Sequence, residues 1–78
     1  MKASDRYHKY VEWSDDDRLY IGYCPDLFPH GGVCHAESEV EAYRTLSKVV
    51  ERHIAELSEN HEPLPPVLTR PSRQLAFV

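Results

Sequence analysis

The chain has 78 residues, a formal net charge of -4, 41% hydrophobic and 28% charged residues, which is the composition of one small globular domain. No apolar run approaches the roughly 18 residues of a membrane-spanning helix, and the amino terminus has no signal-peptide core, so we expect a soluble cytoplasmic protein. Thirteen acidic residues against nine basic ones oppose direct binding to nucleic acid and favour a basic protein partner.

Three short strands are predicted in the first half of the chain. Residues 7–13 alternate in character and are rich in aromatic and branched side chains, and residues 18–23 have the same composition. The turn formers at residues 14–17 indicate that these two strands form a hairpin. After a connection rich in proline and glycine, residues 33–36 are long enough for a third strand, which gives a three-stranded antiparallel meander.

A long amphipathic helix is predicted after the third strand. Ser38 and Glu41 have the spacing of a capping box, in which each side chain bonds a free backbone N–H at a helix start. We expect the helix over about residues 39–57, which is long enough to cross three strands. The apolar residues that recur at helical spacing, and that we expect to form one buried stripe, are Val40, Tyr43, Leu46, Val50, Ile54 and Leu57.

A proline-rich exit segment, residues 62–71, follows the helix and cannot continue it, because proline lacks the backbone donor. Residues 73–78, RQLAFV, are suited to a short last strand. The sequence therefore predicts an α+β fold of order β-β-β-α-β, in a single domain of residues 1–78.

The stretch CPDLFPHGGVCH contains both cysteines and two of the five histidines. Cys24, His30, Cys34 and His35 are metal-ligand types, but their spacing lacks the paired Cys-x2-Cys of zinc sites, and neighbours on a strand point to opposite faces. The acidic surroundings also disfavour a reactive thiolate. We interpret the stretch as a shaped connection with free thiols and solvated histidines, in which Asp26 bonds the turning backbone.

Four residues are candidates for partner binding. Asp15, Asp16 and Asp17 lack the alternating pattern of a calcium loop, so we interpret them as a solvated turn that can also meet a basic partner. Phe28 lies in the loop after the second strand. Its ring either folds back onto the core, which we favour, or stands exposed as a contact.

The motifs of catalysis are missing from the sequence. It contains no glycine-rich phosphate loop, no nucleophile elbow and no helix with paired histidines. We therefore expect a binding protein without a cofactor or a metal, not an enzyme.

A family resemblance follows from residues 19–27, LYIGYCPDL, and from the glycine loop, the short strand, the capped helix and residues 63–66, PLPP. Over residues 7–78 the chain resembles the HicB-type antitoxin family. Members of that family carry an acidic turn, a strand that ends in Pro-Asp-Leu, a loop with glycine, an amphipathic helix and a Pro-Leu-Pro exit. A glycine usually follows the acidic turn, where this chain has Arg18.

The resemblance implies a partial ribonuclease-H-like fold without the nuclease's metal site. It also implies a partner, which is a small basic HicA-like ribonuclease toxin with a double-stranded-RNA-binding fold, in a type II toxin-antitoxin system. The antitoxin covers the toxin and blocks its access to RNA. Longer members add a DNA-binding domain, for which we expect no room in 78 residues.

Two other functions stay open at this point. One is a structural or regulatory module that kept the fold and has no toxin, and the other is a small metal- or thiol-dependent enzyme. For the antitoxin-like protein and for both alternatives we expect a homo-oligomer, because the meander leaves strand edges that can pair with a second copy.

Overall fold

The computed structural model describes residues 1–69, so the strand predicted at residues 73–78 lies outside the described part. In chain order the elements are a 3-10 helix Ala3–Arg6, strands β1 Tyr10–Ser14, β2 Leu19–Tyr23 and β3 Cys34–Ala36, and helix α1 Glu39–Glu59. The strands form one antiparallel sheet in the order β1-β2-β3, and α1 packs across one face. The α+β class, the meander and the covering helix are confirmed.

The β1–β2 hairpin has the expected pairing, with Trp13 opposite Tyr20 and Tyr10 opposite Tyr23. β1 nevertheless begins at Tyr10 and not at the predicted Tyr7. The chain first makes the 3-10 turn, after which Tyr7 is buried in the core. An aromatic residue before a strand gives the same sequence signal whether it pairs or packs, so the pattern could not mark this boundary.

Gly22 is where the helix lies against the sheet. A Cβ atom at Gly22 would lie 2.8 Å from the Cys34 Sγ and 3.2 Å from the Leu46 Cβ. The missing side chain therefore allows α1 to approach β2 closely. Leu46 at this contact is fully buried, as is Val50 one helical turn further on, and a buried side chain of this size contributes about 1.5–3 kcal/mol.

Both ends of α1 have defined caps. The Ser38 Oγ accepts the Glu41 N–H at 3.1 Å, as predicted, while the Glu41 carboxylate pairs with Arg44 at 2.8 Å. At the other end, the Glu62 N–H donates to the Leu57 carbonyl at 2.8 Å, and His61 has a φ of 56°. This is the geometry of a Schellman cap, with histidine at the left-handed position that glycine usually takes. It ends α1 at Glu59, slightly beyond the predicted end.

The predicted buried stripe is wrong at its first two positions. Val40 is 66% exposed and Tyr43 is 45% exposed, whereas Ala42 is fully buried. At about 100° per residue, Val40 lies on the far side of the helix from Ala42, and Tyr43 lies on its flank. The small side chain that faces β3 is Ala42, whose carbonyl is 3.5 Å from the Cys34 Sγ.

The exit segment, of which the structure describes residues 62–69, returns to the body of the domain. The Tyr7 hydroxyl group donates to the Pro65 carbonyl at 2.6 Å, and Val67 packs against the core. No helix within residues 1–69 combines the length and the hydropathy of a membrane span.

Candidate protein-binding surface

The acidic turn is an ordered structure that is built by its own side chains. Ser14 is its centre, because its carbonyl accepts the Arg18 N–H at 2.7 Å and its hydroxyl group donates to Asp17 at 2.9 Å. The Asp17 N–H donates back to the Ser14 Oγ at 3.3 Å. Arg18 completes the turn with a φ of 55°, in the left-handed region where a glycine would be unstrained. The sequence did not reveal this strain.

Trp13 lies beside this turn and is 50% exposed. Its Nε1–H donates to the Asp15 carboxylate at 2.8 Å, and its ring meets Tyr20 edge-on with centroids 5.0 Å apart. The indole is therefore held in place by two neighbours while half of its surface faces solvent. Asp15, Asp16 and Asp17 are all exposed, as predicted for a solvated turn.

The start of α1 lies at the same end of the sheet as the acidic turn. In register, Trp13 pairs with Tyr20, and Tyr20 pairs with Ala36, which lies three residues before the first residue of the helix. Val40 and Tyr43 are exposed in the first turns of this helix. We name this end the hairpin-end surface, and its members are Trp13, Asp15, Asp16, Asp17, Arg18, Glu37, Glu39, Val40, Glu41, Tyr43 and Arg44.

Phe28 is not part of that surface. Its ring packs against the core and lies 4.7 Å from the His53 ring, centroid to centroid, while its N–H donates to the Cys24 carbonyl at 2.8 Å. The favoured interpretation, a ring that folds back, is confirmed. Phe28 follows the end of β2 and the acidic turn precedes its start, so the candidates Phe28 and Asp15–Asp17 lie at opposite ends of one strand.

The two thiols of the CPDLFPHGGVCH stretch are free and lie towards the core. Cys24 is fully buried, and Cys34 is half-buried under α1. Burial raises the pKa of both thiols above the ordinary value, which disfavours the nucleophilic thiolate. Within residues 1–69, no three His, Cys, Asp or Glu side chains are grouped in a way that could hold a metal ion.

The Asp26 carboxylate bonds a distant part of the chain, which the sequence did not indicate. We expected it to bond its own turn, but its carboxylate accepts the Leu68 N–H at 2.9 Å and the Thr69 N–H at 3.0 Å. The Thr69 hydroxyl group adds a third donor at 2.8 Å. Partial burial raises the pKa of Asp26, but the bonds from Thr69 and Leu68, with a smaller contribution from His8, lower it overall. These bonds hold the exit segment against the loop after β2, and we name the contact of Asp26 with Leu68 and Thr69 the latch.

The chain was compared with models of protein families, with curated proteins and with solved structures. None of these three comparisons gives a match. The function is therefore inferred from the residues and the geometry of the chain itself.

Proposed function

We propose that the chain is a HicB-type, antitoxin-like binding protein of the cytoplasm, which neutralises a small basic HicA-like ribonuclease of a type II toxin-antitoxin system. One observation carries this proposal. The acidic turn Asp15–Asp17 is exposed and internally ordered, and it lies beside a half-exposed indole ring. Preformed carboxylates beside an aromatic side chain are the features by which a protein surface recognises a basic partner.

The residues that carry the family resemblance have physical roles in this fold. Gly22 allows the helix to approach the sheet, and Asp26 of the Pro-Asp-Leu motif holds the exit segment. Tyr7 holds the same segment at Pro65, within the Pro-Leu-Pro motif. Defined structural roles for Gly22, Asp26 and Pro65 support a resemblance of whole architecture.

Charge supports the same type of partner. A net charge of -4 accelerates the approach of a basic protein and opposes the approach of RNA or an anionic membrane surface. An antitoxin of this kind needs to bind the toxin and not the toxin's substrate. The acidic surface meets both requirements at once.

The thiol-enzyme alternative is disfavoured by the thiols themselves. Cys24 is inaccessible to a substrate, and the pKa of both cysteines is raised by burial. An enzyme would need at least one accessible thiol with a lowered pKa.

We also propose that the protein self-associates through its sheet. Within residues 1–69, β1 and β3 each have a strand neighbour on one side only. Unpaired edges can accept a strand from a second copy, and light scattering of the purified chain measures the resulting mass.

Co-expression tests the proposed function. The product of the adjacent reading frame should be a short basic protein that arrests growth when expressed alone, and this chain should relieve the arrest and co-elute with it. If the adjacent frame encodes no such protein, or if the two proteins elute separately and growth stays arrested, the proposed function is wrong. A module that acts without a toxin would give the first of these two results.

A further inference from the structure

Three of the six large apolar side chains that are exposed within residues 1–69 belong to the hairpin-end surface. Within residues 1–69, the large apolar residues that are exposed away from this end are Met1 and two leucines of the exit segment. Trp13 lies near the end of β1, and Val40 and Tyr43 lie in the first turns of α1, which begins at the same end of the sheet. The buried cores of protein–protein interfaces are enriched in aromatic residues, and two of these three side chains are aromatic.

Acidic residues lie close to these three side chains along the chain. The acidic turn supplies Asp15, Asp16 and Asp17, and the start of α1 supplies Glu37, Glu39 and Glu41. The only cations of the hairpin-end surface are Arg18 and Arg44, and Arg44 is already paired with Glu41 at 2.8 Å. The hairpin-end surface therefore combines three large apolar side chains, which we call its centre, with six acidic side chains, which we call its rim.

This charge pattern selects one type of occupant. Nucleic acid and anionic membranes are repelled by the acidic rim. A second copy of the chain is also repelled, because a two-fold contact would bring the same carboxylates face to face. A protein that presents basic side chains around an apolar site complements both the rim and the centre.

The aromatic centre is prepared for contact. Trp13 is oriented by its hydrogen bond to Asp15 and by the edge-on ring of Tyr20, so binding a partner does not have to order it. A side chain that is already held in one rotamer loses little entropy when it becomes buried in an interface.

We propose that the hairpin-end surface is where the basic protein partner docks, with Trp13 as the anchor and with Val40 and Tyr43 beside it. This inference rests on the proposed function and deepens it. Trp13 replaces Phe28 as the proposed anchor, because the Phe28 ring packs against the core. The proposed acidic contact now includes the start of α1 as well as the acidic turn.

Trp13 is the only tryptophan of the chain, so it can report on its own burial. The chain is labelled with 5-fluorotryptophan, and its single fluorine resonance is recorded with the unlabelled product of the adjacent reading frame. Docking at the hairpin end shifts this resonance, because the environment of the indole ring changes when the partner covers it. If the two proteins co-elute while the resonance is unchanged, the docking surface is wrong and the proposed function stands. If they do not associate, the proposed function itself fails.

Paired charge reversals test the rim. The variant Asp16→Lys with Glu37→Lys should lower the association rate at low salt at least tenfold, whereas Glu59→Lys with Glu62→Lys, at the other end of α1, should leave it within twofold. The two variants change the net charge equally, so long-range attraction alone would affect both alike. Equal rates for both would overturn the assignment.

Truncation tests the centre. Trp13→Ala should shorten the lifetime of the complex by at least tenfold, and circular dichroism confirms that the variant is folded. Tyr43→Ser, on an exposed helical position, gives a second reading that does not depend on the hairpin. Wild-type lifetimes for both folded variants would overturn the proposal.

Discussion

The Asp26 carboxylate holds Thr69, which lies 43 residues further along the chain, through the Thr69 N–H at 3.0 Å and hydroxyl group at 2.8 Å. This contact joins the loop after β2 to the segment that follows α1. Together with the bond from Tyr7 to Pro65, it sets the path of the exit segment across the domain.

We expect Asp26→Asn to lower the free energy of unfolding by about 1–3 kcal/mol. The asparagine side chain has no negative charge, and its NH2 group is a donor that would face the three donors of the exit segment. Urea denaturation measures the change. Asp16→Asn is the matched control, because Asp16 is an exposed residue of the acidic turn, and it should change the stability by less than about 0.5 kcal/mol. Equal losses in both variants would show that the latch adds nothing specific.

The latch also has a predictable pH dependence. The pKa of Asp26 is lower in the folded protein than its ordinary value of 3.8, because the donor bonds of the exit segment outweigh the opposite effect of partial burial. A group of this kind contributes its full stability above the ordinary pKa, and the contribution is lost as the pH falls through the folded pKa.

The difference in stability between the wild type and Asp26→Asn should therefore be constant near neutral pH. It should shrink once the pH falls below 3.8. Urea titrations over a pH series measure it, with the asparagine variant as the reference that cannot titrate. A difference that persists unchanged at lower pH would contradict the account of the latch.

Gly22→Ala should destabilise the domain by about 1–3 kcal/mol, since the added methyl group would overlap the Cys34 Sγ and press against Leu46. Thermal and urea denaturation measure the loss. The matched test is a double-mutant cycle with Cys34→Ala, which removes the nearest atom. The double variant should lose less than the sum of the two single losses, and strict additivity would show that this overlap is not the cause.

Arg18→Gly should stabilise the domain by about 0.5–1 kcal/mol, because a φ of 55° is strained for arginine and free of steric cost for glycine. Arg18→Ala is the control, since it removes the same charge and keeps the strain. If alanine stabilises as much as glycine, the effect comes from charge and not from the backbone.

Neither thiol should react readily in the folded protein. Cys24 is fully buried and Cys34 is half-buried, and burial raises the pKa of both. Labelling with a disulfide reagent at neutral pH should be slow for both and should accelerate when the chain is unfolded in urea. Rapid stoichiometric labelling of a native thiol would return the thiol enzyme to consideration.

The sequence predicted the sheet and the helix because their signals are local. Alternation, turn formers and the Ser38 cap depend on neighbouring residues, and the hairpin and the capped helix start that they predict are both observed. The helical stripe was predicted less well. Spacing shows that Val40 and Tyr43 lie on one broad apolar face of the helix with Leu46. It does not show which edge of that face contacts the sheet, and in the structure it is the edge that contains Ala42.

The candidate site was predicted only in part. The acidic turn was identified from composition, but the exposure of Trp13 depends on where α1 crosses the sheet, which is a property of the whole fold. The bond from Asp26 to Thr69 was missed for the same reason. A carboxylate after a strand indicates a local turn, and nothing in the sequence links it to donors that follow a long helix.

RNA cleavage in a purified system tests the central claim most directly. The basic product of the adjacent reading frame is incubated with RNA, and this chain is added in increasing amounts. The account predicts that cleavage falls to background at a fixed stoichiometric ratio, and that the variant Trp13→Ala requires a clear excess to reach the same inhibition. Undiminished cleavage in the presence of excess folded wild-type chain would contradict the account.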